Sequence, residues 1–197
     1  MYDYKMIDGS KEIVDIIDKT LYTHVGRRTK DLNHANRVSE LCKLMGNAMG
    51  MPETELNHLE VSGLFHDIGK IAIREQILEK TEPLTTAEWN EIMRHPEIGY
   101  RILCTSFEMA ETAKYVLHHH ERYDGMGYPR GLKADEIPLI SRIIAVADSY
   151  DAMTNLRSYR ETLSQAQAVD ELLRNKGTQF DPDLVEIFVC RVLRSPI

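Results

Sequence analysis

Nowhere in these 197 residues does an alternation of apolar and polar side chains last long enough to make a half-buried strand. Apolar side chains recur every three to four residues instead, which is the spacing of a helix face. After Ser10 the stripe is Ile13, Ile16, Ile17 and Leu21. From about Asp31 to Met49 it is Val38, Leu41, Met45 and Met49, stopped by Gly50. Pro52 opens a third helix that carries Leu56, Leu59 and Leu64 toward His66 and ends near Gly69. Thr85 and Glu88 form a capping pattern for a short helix reaching His95, and Pro96 suits the first turn of the next, through Ile98, Ile102 and Leu103. Glu108 to His120 reads as helix. Residues 121–137, broken by Gly125, Gly127, Pro129 and Gly131, read as loop. Leu139 to Asn155 is a strongly apolar helix. Ser164 with Gln167 caps another that Gly177 ends, and Asp181-Pro182 starts the last. These signals predict an all-α protein, a single compact multi-helix bundle of about eight or nine helices. One domain over 1–197 is expected, with an N-terminal helix in 1–29 and the core in 30–194.

Several classes of function are excluded at this level. The net charge of -7 argues against a surface that coats DNA or RNA, although a small phosphorylated substrate remains open if local cations offset the field. No apolar run approaches the roughly 20 residues of a membrane span, and the N-terminus lacks the regions of a secretory signal. Cys42, Cys104 and Cys190 are odd in number and far apart, which fits neither a disulfide framework nor a cysteine zinc site, so a reducing cytoplasm is expected.

The chemistry lies in histidines and carboxylates that surface composition does not explain. Of eight histidines, His24 and His58 have no suggestive neighbours. His66-Asp67-Ile68-Gly69-Lys70 places charge directly after Leu64-Phe65, where the core should continue; such groups are costly unless paired or bound to metal. A helix C-terminus would account for Lys70 but disfavours Asp67. Asp148 interrupts the apolar side of ISRIIAVADSYDAM, and Asp151 one turn on is either its partner or solvated. His118 to His120 lead into ERYDGMGYP, yet the second histidine of H-E-x-x-H is missing, and no G-x-G-x-x-G is present. A mixed N/O donor pool without cysteine suits Fe, Mn, Zn or Ni at a catalytic site. Lys70, Arg157 and Arg160 could supply further positive charge.

In order, HANRV, HDIGK, HPEIG, HHERYDGMGYP, VADSYDAMT and QFDPDL occupy His34 to about Leu184, and this series resembles the HD-GYP family of metal-dependent phosphohydrolases. The resemblance implies hydrolysis of cyclic di-GMP, a bacterial second messenger, to linear pGpG and further to GMP, by in-line attack of a metal-bound hydroxide. It further implies two divalent transition metals, Fe or Mn first, with Zn or Ni as alternatives. His34, His66, Asp67 and Asp148 would form one metal site, with Asp67 bridging, and His95, His119 and His120 would complete the second. Asp67 and Lys70 would act at the scissile phosphate, Tyr128 would line the substrate pocket, and Arg157 and Arg160 would meet phosphate or guanine. His118 would be a flank, and Glu121 and Asp124 candidates for orienting the ligand imidazoles.

The chain departs from the pattern at Lys30, where some members carry a glutamate ligand for a third metal; this favours two metals and makes complete hydrolysis to GMP less assured. RRTKDLN before His34 lacks the common Thr-Gly/Ala spacing, and Arg157-Ser158-Tyr159 replaces Arg-Pro-Tyr. Two other readings stay open: an HD phosphohydrolase acting on another cyclic dinucleotide or nucleotide, and a non-catalytic adaptor, for example for a diguanylate cyclase. The first helix could pack on the core or mediate a homodimer.

Overall fold

The periodicity of residues 31–49 becomes α1, Thr29–Met49, whose Val38, Cys42 and Met45 are fully buried. The computed structural model describes residues 29–155 and 162–195. The expected first helix with its Ile13, Ile16, Ile17 and Leu21 lies outside them, as do Arg157, Arg160 and the side chain of Lys30. His34–Ile197 forms one compact unit.

After α1 come α2 (Glu53–Phe65), a 3-10 segment (Ile68–Ala72), α3 (Glu75–Leu78), α4 (Thr86–Ile92), α5 (His95–Leu103) and α6 (Ala110–Leu117). A second 3-10 turn (Ala134–Glu136) precedes α7 (Leu139–Thr154), α8 (Gln165–Arg174) and α9 (Pro182–Ile187), which runs on into a π turn (Phe188–Val192). No strand occurs among the described residues, only an isolated bridge between Lys176 and Phe180. The all-α expectation is met.

The predicted caps form. Thr85 and Glu88 make a reciprocal capping box at α4, Ser164 and Gln167 another at α8, and Asp181 accepts from the amides of Asp183 and Leu184 at α9. Three helix ends beside histidines differ from expectation, and one of them is that of α4, which stops at Ile92 rather than reaching His95. α2 stops at Phe65 rather than near Gly69, because the chain tightens into the 3-10 segment. α6 stops at Leu117 rather than His120, so the three histidines lie in a turn and not on a helix face.

The core is built by α7, which contributes Ile140, Ile143, Ile144, Val146 and Ala147, against α1, Leu59 of α2, Val169 and Leu172 of α8, and Leu184, Val185, Phe188 and Val189. Fully burying each aliphatic side chain is worth roughly 1.5–3 kcal/mol. Leu64 is only half-buried, and Phe65 takes the inward position. On α5 the expected Ile98 and Ile102 are only half-buried, while Leu103 and Gly99 are buried, the glycine because this helix approaches the 3-10 segment at backbone distance.

Candidate metal centre

His66, His95 and His119 reach the centre in the same way. Each follows a helix end and turns Nδ1 back onto a carbonyl of that helix's last turn: Gly63 at 2.8 Å, Ile92 at 2.8 Å and Val116 at 2.6 Å. Those carbonyls have no donor within their own helix. A carbonyl only accepts, so each Nδ1 carries the proton and each Nε2 presents a lone pair inward. The helix stops that differ from the sequence expectation are therefore what aims the imidazoles.

His34 lies inside α1, where main-chain carbonyls are committed to the helix ladder, and its partner comes from α7. Its Nδ1 stands 2.7 Å from Asp151 Oδ2. Asp151 is itself buried, and it accepts from Arg37 Nε at 2.6 Å and Nη2 at 2.9 Å and from Asn155 Nδ2 at 2.9 Å. Asp151 is thus a buried partner of His34 rather than a solvated carboxylate. Arg37 was absent from the sequence reading; its position three residues after His34, on the same helix face, was the available signal.

Asp67 stands between two groups of imidazoles. Its Oδ2 is 3.4 Å from His66 Nε2 and 3.8 Å from His34 Nε2, and its Oδ1 is 3.3 Å from His95 Nε2. Asp148 Oδ1 closes the first group, 3.2 Å from His34 Nε2 and 3.8 Å from His66 Nε2. Donor atoms of Asp67, His95, His119 and His120 lie within 4.8 Å of one another, as do those of His34, His66 and Asp67. All seven histidine and aspartate positions marked in the sequence come together; His118 lies apart, its Nδ1 3.6 Å from Glu121.

The donors fit a cation. His66 Nε2 and Asp67 Oδ1 are buried without a hydrogen-bond partner, each an unsatisfied acceptor at a cost of about 1–3 kcal/mol. His95 Nε2 and His119 Nε2 approach to 3.3 Å with both protons held on Nδ1. Two lone pairs at that distance repel unless something positive lies between them. Two nitrogens bound to one ion at about 2.1 Å stand about 3.0–3.4 Å apart for right-angle to tetrahedral geometry, which matches.

Charge on the groups is consistent with this. Burial, then the neighbouring His95, lowers His120 to about 3, and burial with His120 and His95 holds His119 well below its ordinary value, so both stay neutral. Burial alone would raise Asp67, but Lys70 and His66 hold its carboxyl well below the usual carboxylate range. Burial likewise opposes ionisation of Asp148, and the hydrogen bond from His34 outweighs it, holding the carboxyl well below its ordinary range. His34 differs: burial lowers it, yet hydrogen bonds to Asp148 and Asp151 raise it to about 9. Without a metal a proton occupies that place, and an ion would displace it.

Lys70 Nζ lies 2.5 Å from Asp67 Oδ2. Tyr128 stacks on His120 with ring centroids 4.9 Å apart and planes at 28°, and its amide donates to His120 O at 3.2 Å. Glu121 and Asp124, candidates for orienting imidazoles, do something else. Buried Glu121 accepts from the amides of Arg130 at 2.7 Å and Leu132 at 3.1 Å and so ties down the loop that carries Tyr128. Asp124 pairs with Arg122 and accepts from the Met126 amide. The reason is direction: both carboxylates follow the His118–His120 turn and face the loop.

The sequence profile of the HD domain matches residues 15–184. The chain is 41% identical over 152 residues to the cyclic di-GMP phosphodiesterase response regulator RpfG of Xanthomonas campestris, covering 76% of this chain and 40% of that one. It is 36% identical over 185 residues to 3'3'-cGAMP-specific phosphodiesterase 2 of Vibrio cholerae, covering 92% and 35%. It is 40% identical over 158 residues to the cyclic di-GMP phosphodiesterase of Thermotoga maritima, covering 79% and 43%. The matched region is thus less than half of each relative's length. Among solved structures, Bd1817 of Bdellovibrio bacteriovorus superposes with a TM-score of 0.68 over 94% of this chain and 61% of that one at 15% identity. The cyclic GMP-AMP phosphodiesterase V-cGAP3 of V. cholerae gives 0.64 over 83% and 44% at 20% identity. These two likenesses concern the fold.

Proposed function

This chain belongs to the HD-domain family, in its HD-GYP branch, and from that premise we propose that it is a metal-dependent phosphodiesterase hydrolysing cyclic di-GMP. The observation that carries the reading is the convergence of His34, His66, Asp67, His95, His119, His120 and Asp148, with buried acceptors that lack donors. His34, His66, Asp67 and Asp148 would hold one divalent transition metal, and His95, His119 and His120 the second, with Asp67 shared. The N/O donor set suits Fe or Mn first, with Zn or Ni as alternatives. Such a pair supplies Lewis-acid polarisation of a phosphoryl oxygen and a water of lowered pKa.

The chain's own residues do the rest. Asp67 and Asp148 stay ionised and His119 and His120 stay neutral, so these groups are ready for cations at neutral pH, while His34 would give up its proton to an incoming ion. Lys70, beside Asp67, places an ammonium where charge would develop on the phosphodiester. Tyr128, held by burial and by the carboxylates Asp67 and Asp148 above its ordinary pKa, remains a phenol and offers an aromatic wall to a base. Arg157 and Arg160 are assigned to phosphate or guanine on sequence grounds. With Lys30 in place of a third-metal ligand, linear pGpG is the expected main product, with GMP as a slower one. A reducing cytoplasm is the matching compartment for its free cysteines.

Anaerobically prepared protein tests this directly: it should contain a transition metal, convert cyclic di-GMP to pGpG, and lose turnover in Asp67→Ala. Absence of bound metal, and of any metal affinity, would sink the proposal. A second reading, 3'3'-cGAMP as the preferred substrate, is favoured by the 36% identity over 92% of the chain to the V. cholerae enzyme of that specificity. Comparing kcat/KM for the two cyclic dinucleotides, with a nucleotide panel beside them, decides between the readings. A metal-loaded protein that binds both and cleaves neither would point to an adaptor.

A further inference from the structure

We propose that Asp151, clamped by Arg37, is a positioning residue that makes the two halves of the metal centre unequal, so that the His34 half takes up its divalent ion more tightly. The inference rests on the two-ion reading above and goes beyond it by assigning a role to residues that are not ligands. Three of the inward-facing imidazoles are backed by neutral main-chain carbonyls, Gly63, Ile92 and Val116. His34 alone among these is backed by a carboxylate, from 117 residues away. The difference has a structural cause: His66, His95 and His119 follow helix ends where carbonyls are spare, whereas His34 is embedded in α1.

Asp151 can orient an imidazole because it is itself fixed. Its Oδ1 accepts from Arg37 Nε and Asn155 Nδ2, and its Oδ2 accepts from Arg37 Nη2 and faces His34 Nδ1. With one oxygen doubly engaged and the other braced by a guanidinium, the carboxylate cannot rotate away, and the His34 ring is held with Nε2 toward Asp148 and Asp67. A carboxylate behind an imidazole makes its far nitrogen a stronger donor than a carbonyl does. The same half also contains Asp148, while the His95, His119 and His120 half shares only Asp67. An ion in the His34 half therefore has Asp148 as a further carboxylate ligand and a better-oriented ring.

The test is a calorimetric titration of chelator-stripped protein with Mn2+. The wild type should show two steps, and His120→Asn should remove the weaker one, which identifies the halves. Asp151→Asn should weaken the tighter step by about ten- to a hundredfold, the usual effect of removing such a backing group, and leave the weaker one within about twofold. Arg37→Met should weaken the same step by a smaller factor, since Asp151 stays but is no longer braced. An unchanged tighter step in these variants, or a loss confined to the weaker step, overturns the proposal. Should circular dichroism show Asp151→Asn misfolded, Arg37→Met decides alone. A wild type that binds no Mn2+ at all would instead defeat the metal-centre reading, so the two failures are distinct.

Discussion

Replacing Gly69 with alanine should dismantle half of the metal centre without touching a ligand. Gly69 is buried in the 3-10 segment that follows Asp67 and lies against the start of α5. A Cβ built there would stand 1.9 Å from His95 O, 2.6 Å from Gly99 N and 2.8 Å from His95 C. All three are main-chain atoms, so no flexible side chain can swing aside. Opening the closest contact from 1.9 Å to even 3.0 Å requires about 1.1 Å of separation between the segment carrying Asp67 and the helix carrying His95. Metal sites tolerate only about 0.2 Å in ligand distance. Overpacking of this kind costs about 1–3 kcal/mol, which for a chain of this size lowers Tm by roughly 2–12 °C. Mn2+ titration of Gly69→Ala should show at least a tenfold loss in the His95 half, on the order of 1.4 kcal/mol. Gly50→Ala is the control: its φ of +72° disfavours alanine, but nothing lies within 4 Å of the added carbon and the residue is remote from the centre. It should lose about 1 kcal/mol of stability and no metal affinity. A Gly69→Ala protein with wild-type Tm and wild-type Mn2+ binding would refute the claim that this glycine exists to let Asp67 and His95 meet.

Three other outcomes follow from the same geometry. Glu121→Gln turns one of two acceptors toward a main-chain amide into a donor, so about 1–3 kcal/mol of loop ordering should be lost; kcat/KM should fall while metal content, measured by elemental analysis, holds. Tyr128→Phe should leave kcat/KM within about twofold, whereas Tyr128→Ala should raise KM about ten- to a hundredfold, because the ring acts as a stacking face; equal losses in both would assign the work to the hydroxyl. His34 is protonated below about pH 9 in the metal-free protein, so an ion must displace that proton. Affinity should therefore climb about tenfold per pH unit up to about 9 and then level, with one proton released, seen by calorimetry in buffers of different ionisation heat. In the metal-free protein the same raised value stabilises the fold fully below the ordinary 6.5 and is lost as pH rises through 9.

Much of this protein was legible in its residue order. Helical periodicity, paired caps at Thr85, Ser164 and Asp181, and the lack of any alternating run determined an all-α chain, because these depend on contacts within a few residues. The seven histidine and aspartate positions were legible too, since ionisable groups set against apolar runs, in a family's order, mark a site whatever the packing. What the tertiary structure alone decided is direction. Three imidazoles are aimed by spare carbonyls that exist only because α2, α4 and α6 end where they do, three or four residues short of where the sequence pattern would end them. Asp151 became a buried brace because Arg37 and His34 arrive from a helix more than a hundred residues earlier, and Glu121 became a loop tether because the chain turns after His120. Residue order specifies which groups carry charge. Which partner each one meets is settled by helix ends and close backbone approaches, whose energies depend on atoms far apart in the chain.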